Sequence, residues 1–162
     1  IAGLRINGDF DVAEPMLRKQ IVGFTSAATN LLRTDKLRLR NGGVTVVELQ
    51  DSIVRITEDT TTDRTTADSQ EFPVTETVDF VARVVRRLLD SIFIGVKILN
   101  DTASIVAATV QVLLNNFQAL NIITSSANVR AALNALDPRQ IDVSFEIQPV
   151  RGLRYIKVTF TI

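Results

Sequence analysis

The sequence predicts an α+β fold: a small mixed β-sheet with two long helices packed on one face. Three observations carry this. TVDFVARVVRRLLDSIFIGV repeats apolar residues at steps of three and four, and a second stretch from Thr102 to Leu120 does the same. Ile141, Val143, Phe145 and Ile147 alternate strictly with Asp142, Ser144, Glu146 and Gln148. After Pro149–Gly152, Ile156, Val158, Phe160 and Ile162 alternate against Lys157, Thr159 and Thr161. Strands, two long helices and strands again make an α+β layer.

The elements follow in chain order. The opening, residues 1–24, mixes short apolar runs with Gly3, Gly8 and Pro15 and reads as the irregular exit from an upstream unit. The domain proper is expected over 25–162. The first residue is Ile1 rather than Met, so the chain is expected to be a fragment, a processed product or the ordered part of a longer protein. For TSAATNLLRTDKLRLRNGG two readings stand. Thr25 or Ser26 caps a helix stopped by Gly42 or Gly43, or KLRLR is a strand and Asn41-Gly42 a hairpin turn. VTVVEL and IVRIT, separated by Gln50-Asp51-Ser52, predict a hairpin. Residues 58–70, nearly all Thr, Asp and Glu, read as a solvated loop.

In the first long helix, Val78, Val81, Ala82, Val85, Leu88, Leu89, Ile92, Phe93 and Val96 form one wide apolar face. Thr75 or Thr77 is the expected N-cap. Asp79, Arg83, Arg86, Arg87 and Asp90 lie opposite. In the second helix, Val106, Val110, Leu113, Phe117 and Leu120 make the stripe, with Asp101 or Thr102 as cap. ANVRAALNAL reads as a short third helix stopped by Pro138.

Composition excludes more than it selects. Lys+Arg and Asp+Glu both number 18, so no global field draws the chain to nucleic acid or to a membrane surface. No aromatic residues interleave with the arginines to stack bases. No apolar run reaches the roughly 18–20 residues of a membrane span. The chain has no Cys and no His, which removes thiolate chemistry, the commonest general base and the usual metal ligand together. Asp59 and Asp63 lack the glycine and closing glutamate of a calcium loop, and Asn41-Gly42-Gly43 sits in no phosphate-loop context. The reading is a non-enzyme with no cofactor and no metal.

Two features leave alternatives open. Arg83, Arg86 and Arg87 form either a solvated face, paired with Asp79 and Asp90, or a docking patch for an acidic partner. The closing strand, Ile156 to Ile162, is either central in its own sheet or half of a sheet shared between chains.

Four stretches together resemble contractile tail sheath proteins of bacteriophages and related injection systems, in their C-terminal region. They are AGL with EPMLRKQIVGF, then NLLRTDKLRLRNGGVTVVEL with SIVRITEDTTTD, then VDFVARVVRRLLDSIFIGVKILND, and finally VSFEIQPVRGLRYIKVTFTI. They span nearly the whole chain in order. The resemblance implies a structural subunit that stacks in six-fold rings around a tail tube and contracts to drive the tube through a cell envelope. It implies as partners further copies of the chain, the tube protein, and baseplate and tail terminator proteins. The expected location is a virion tail or extracellular injection particle, assembled in the bacterial cytoplasm. It implies that Ile156, Lys157, Val158, Thr159, Phe160, Thr161 and Ile162 add a strand between subunits, and it offers Arg83, Arg86 and Arg87 as the tube contact. The competing reading is a monomeric α+β binding module with a basic helix face.

Overall fold

The computed structural model describes residues 12–24, 26–27, 31–63, 65–66, 70–153 and 159. They fall into two compact units, one of residues up to Thr75 together with those after Val150, the other Glu76–Val150.

In the first unit, α1 (Arg33–Asn41) precedes an antiparallel hairpin of β1 (Val46–Gln50) and β2 (Ile53–Glu58). KLRLR is therefore helical and Gly42 is its C-cap, but the helix begins at Arg33 after Leu32; of the two expected caps, Ser26 lies outside the helix and Thr25 outside the described residues. The predicted hairpin forms with a two-residue turn, Asp51 and Ser52, both at positive φ (49° and 64°). That backbone matches the right-handed twist of paired strands. The far edge of β2 is also occupied. Arg18 N–H donates to the Ile56 carbonyl (2.7 Å), Ile56 N–H to Lys19 (3.1 Å) and Ile21 N–H to Val54 (2.9 Å). The expected irregular opening thus includes a strand-like stretch lying antiparallel to β2. Ile56, held between two neighbours, is fully buried, and Met16, Val46 and Val54 of the same unit are buried too.

α1 buries none of its residues. Its Lys36 reaches Glu48 of β1 at 2.6 Å, and Arg40 lies 3.6 Å from Glu58 of β2. Charge, rather than apolar burial, holds this helix on the hairpin.

The Thr-rich segment departs from expectation at its start. Asp59 and Thr60 are buried, and Thr60 bridges to Glu71. The Asp59 carboxylate accepts from Met16 N–H, and Thr60 exchanges hydroxyl and carbonyl bonds with Val44 and Thr45. A polar residue is cheaply buried when its partners are present, which composition alone does not reveal. Gly43 (φ +73°) makes the close approach possible: a Cβ there would stand 2.5 Å from the Thr61 carbonyl oxygen. At the other end of the unit, Gly152 packs so closely on Pro15 that a Cβ would fall 2.1 Å from its Cγ.

α2 (Phe72–Phe93) begins a turn earlier than Thr75 or Thr77 could cap. Its first N–H groups find a different partner, since Phe72 N–H donates to the Asp59 carbonyl. In the second unit α2 continues, followed by α3 (Thr102–Ala119), β3 (Ile123–Leu133) and β4 (Ile141–Pro149). Val81 and Val85 of α2 are buried, while Val78, Ile92 and Val96 of the predicted apolar face are exposed. α3 buries Thr102, Val106, Val110, Leu114 and Phe117, so the stripe turns through Leu114 rather than Leu113 and leaves Leu120 in solvent. Phe80 and Phe117 meet in a tilted pair, 5.9 Å between ring centroids and 58° between planes, tying α2 to α3. α3 ends in a Schellman motif: Asn121 (φ 56°) donates to Gln118, and Ile122 to Phe117.

The predicted short helix over ANVRAALNAL does not form. Most of that stretch is the far half of β3, with Ala131 opposite Val143 and Leu133 opposite Ile141. Alanine favours helix by only tenths of a kcal/mol per residue, and strict alternation in β4 supplies a ladder partner that overrides it. Asn128 (φ 54°) sits where the register slips between Ala127 and Arg130, the signature of a bulge. The α+β class stands. Among the described residues, however, the strands form two separate antiparallel pairs, β1–β2 and β3–β4, rather than one mixed sheet.

Candidate functional site

Among the described residues no three of His, Cys, Asp or Glu gather as metal ligands, and no helix is long and apolar enough to cross a membrane. What the second unit presents instead is surface and edge.

Arg83, Arg86 and Arg87 all lie exposed on α2. Their spacing of three and four puts them on one side of the helix. None of the ion pairs among the described residues includes them, and Asp79 and Asp90, expected as their partners, bridge to none of the three. Three unneutralised guanidinium groups on one stripe make a local positive field on a chain of zero net charge.

Of the proposed strand residues, Ile156, Lys157, Val158, Phe160, Thr161 and Ile162 lie outside the described residues, and Thr159 is exposed. The surface such a strand could meet is nevertheless well defined. β4 alternates as predicted, with Ile141, Val143, Phe145 and Ile147 half-buried and Asp142, Ser144, Glu146 and Gln148 exposed. β3 pairs with one edge of β4; no strand among the described residues pairs with the other. A groove of about 550 Å³ separates the inner face of β4 from the C-terminal half of α2. Its apolar walls are Val85, Leu89 and Phe93 on one side and Ile141, Val143 and Phe145 on the other, with Arg86, Asp90 and Arg139 at its rim.

The sequence reading missed the groove, although both walls were legible: one helical stripe and one alternating strand, each apolar. What it lacked was the knowledge that the two do not close on each other. A two-stranded ribbon is too narrow to cover two helices, and α3 lies against β3. Gln111 Nε2 donates to Ser126 Oγ at 3.4 Å, and Gln118 Nε2 to the Thr124 carbonyl at 3.3 Å.

Residues 64–162 match the family model described as phage tail sheath C-terminal domain. The chain belongs to the phage tail sheath family. The match places it in the C-terminal region of a sheath protein. A curated relative, the tail sheath protein of Mycobacterium phage Bxz1, is 30% identical over 152 residues, covering 93% of this chain and 26% of the relative. The chain therefore spans about a quarter of that sheath protein's length. Solved sheath folds superpose at low identity. A chain of the anti-feeding prophage baseplate aligns with TM-score 0.82 and 14% identity, over 97% of this chain and 47% of that one. The sheath tail protein Lin1278 of Listeria innocua aligns with TM-score 0.78 and 16% identity, over 91% and 37%. The helical sheath of the anti-feeding prophage in its contracted state gives TM-score 0.78 at 14% identity, over 97% and 47%. At such identities these structures share the fold with the sheath chain. The family is one of structural proteins of phage tails and contractile injection systems.

Proposed function

We propose that this chain is the C-terminal part of a contractile sheath subunit with a purely structural, non-enzymatic role. It polymerises in hexameric rings around an inner tail tube and contracts to drive the tube through a cell envelope. Residues 1–24 lead in from the preceding domain of the same subunit, and 25–162 form the sheath C-terminal domain.

The observation that carries this reading is the open edge of β4 above an unfilled apolar groove. An edge strand left bare invites pairing with another chain, and a groove of about 550 Å³ lined by Leu89, Phe93, Val143 and Phe145 gives such a strand side-chain pockets. Ile156, Val158, Phe160 and Ile162 of a neighbouring subunit supply the matching alternation. Main-chain hydrogen bonds then keep subunits joined while rings slide and rotate. Arg83, Arg86 and Arg87 meet the tube by charge, which solvent screens once contact loosens. Baseplate and tail terminator proteins bound the polymer at its ends. Assembly occurs in the bacterial cytoplasm, and the product is part of a virion tail or an extracellular particle.

The test is negative-stain electron microscopy of the full-length protein purified without its tube. Hollow striated cylinders are expected, and deletion of 156–162 should abolish them while the far-ultraviolet circular dichroism stays that of a folded protein. Uniform small particles at every salt and protein concentration would overturn the reading.

A further inference from the structure

The open edge of β4 alternates without a break from Ile141 to Ile147. Ile141, Val143, Phe145 and Ile147 are half-buried on its inner side, and Asp142, Ser144 and Glu146 are exposed on its outer side. Pro149 carries no N–H, so no ladder continues past Gln148. The two outer carboxylates differ. Asp142 is engaged on both oxygens, accepting from Asn134 Nδ2 at 2.7 Å and from Gln140 Nε2 at 2.6 Å. Glu146 takes part in no ion pair and no side-chain hydrogen bond among the described residues. Arg130, opposite Ser144 on β3, shares a cavity with Glu146 but does not bridge to it. The closing segment IKVTFTI has a single charged side chain, Lys157.

We infer that segment 156–162 of a second copy adds to β4 antiparallel, in the register that sets Lys157 opposite Glu146. The inference rests on the strand-exchange reading above and names what fixes its direction. Directly opposed residues of paired strands face the same side. To enter the groove, Ile156, Val158, Phe160 and Ile162 must therefore stand against Ile141, Val143, Phe145 and Ile147. Two pairings do this over the whole edge. The parallel one puts Ile156 opposite Ile141 and Lys157 opposite Asp142. The antiparallel one puts Ile156 opposite Ile147, Lys157 opposite Glu146 and Thr159 opposite Ser144. Sliding the antiparallel pairing by two residues sets Ile156 against Pro149 or carries Ile162 past the start of β4. In either case Lys157 faces Gln148 or Ser144 and loses its carboxylate. Apolar matching does not choose between the two full pairings, because Phe145 meets Val158 in one and Phe160 in the other, and both contacts are favourable. Charge chooses. At Glu146 the ammonium finds a carboxylate with no other partner; at Asp142 it competes with two amides. Antiparallel ladders are also slightly the more stable per residue. A two-residue slip keeps every side chain on its own face, so alternation alone leaves the register loose and the charge pair is what pins it.

The experiment uses the full-length protein with any cysteine outside this chain replaced by serine, since the chain itself has none. Two double variants, Ile156→Cys with Ile147→Cys and Ile156→Cys with Ile141→Cys, are assembled without the tube and oxidised with copper phenanthroline. Ile141 and Ile147 lie about 20 Å apart along the strand, far beyond the reach of one disulfide. The pair through Ile147 is expected to give a ladder of covalent oligomers on a denaturing gel, about tenfold faster or more than the pair through Ile141. Charge reversal tests the determinant. Glu146→Lys and Lys157→Glu should each raise the protein concentration needed for assembly about fivefold, with the melting curve of the unassembled subunit unchanged, and the double reversal should restore it. A ladder through Ile141, or rescue of Lys157→Glu by Asp142→Lys instead, would make the strand parallel and overturn the register. Cylinders that cross-link through neither pair, a bridge closed within one chain, or a double reversal no better than the single changes would overturn it as well. In all these cases the cylinders themselves still mark a sheath. A parent protein that forms no cylinders is the separate failure, and it would overturn the sheath reading and the register with it.

Discussion

The two hairpins have the same topology and opposite fates. β1–β2 is finished within its own unit: residues 18–21 cover one edge, α1 is clipped on by ion pairs, and Ile56 is completely buried. β3–β4 is left half-open, with its inward side chains only partly covered and a groove beside it. The difference is not in strand propensity, since both contain alternating Val and Ile. It lies in what the rest of the chain supplies as cover. The first hairpin is a stability element. The second leaves its apolar face only partly covered by the described residues, as a surface that serves an interaction does.

The sharpest way to break the comparison is to remove the same kind of group from each hairpin. Ile56→Ala should cost about 2–5 kcal/mol, because a buried, well-packed site collapses poorly around a lost side chain. Hydrogen exchange should accelerate over β1 and β2 by the corresponding factor. A loss below 1 kcal/mol would mean that this hairpin is no better packed than the other.

Gly43→Ala tests the same unit through its backbone. A side chain at φ +73° is strained, and its Cβ would press on the Thr61 carbonyl, a backbone atom with little freedom to move. The expected cost is about 2–3 kcal/mol, read as a lower urea midpoint. Lys36→Ala should follow at about 1–2 kcal/mol, since it strands the Glu48 carboxylate, whose side chain is only 9% exposed. The signature to seek is fraying of α1 in hydrogen exchange with β1–β2 still protected. If α1 stays protected, charge is not what holds it.

How much of this was legible beforehand follows the same division. The hairpin at 46–58, both long helices and β4 were readable because each carries its own period. β3 was not: ANVRAAL has the composition of a helix and becomes a strand only because β4 offers it a ladder. Asp59 and Thr60 read as loop because their partners, Met16, Val44 and Thr45, are brought to them by the fold. The arginine stripe was visible as a pattern, but its lack of ion pairs was not, because i to i+4 spacing permits a bridge without requiring one. The groove could not be read from either wall alone.

Phe145→Ala brings the comparison to the open ribbon. Phe145 is only half-buried, so the fold should lose about 1 kcal/mol, well below the cost at Ile56. Assembly should suffer far more than stability, because in the cylinder the ring is expected to meet an added strand. Equal effects on melting and assembly would remove that distinction.

The smallest effect on stability belongs to the arginines. Replacing Arg83, Arg86 and Arg87 together with alanine removes three exposed charges that make no ion pair with the described residues, and alanine is the better helix former. Stability should therefore change by no more than about 0.5 kcal/mol, and cylinders should still form without the tube. If these residues grip the tube by charge, the triple variant should release it at lower salt than the parent protein, because fewer screened contacts remain to be broken. The readout is the salt concentration at which the tube no longer sediments with the sheath. An unchanged midpoint would make the stripe a solvated face after all and move the search for the tube contact to another helix. A lost midpoint with intact cylinders would separate two tasks within one unit: charge on α2 for the partner that must slide, apolar edge and groove for the partner that must stay.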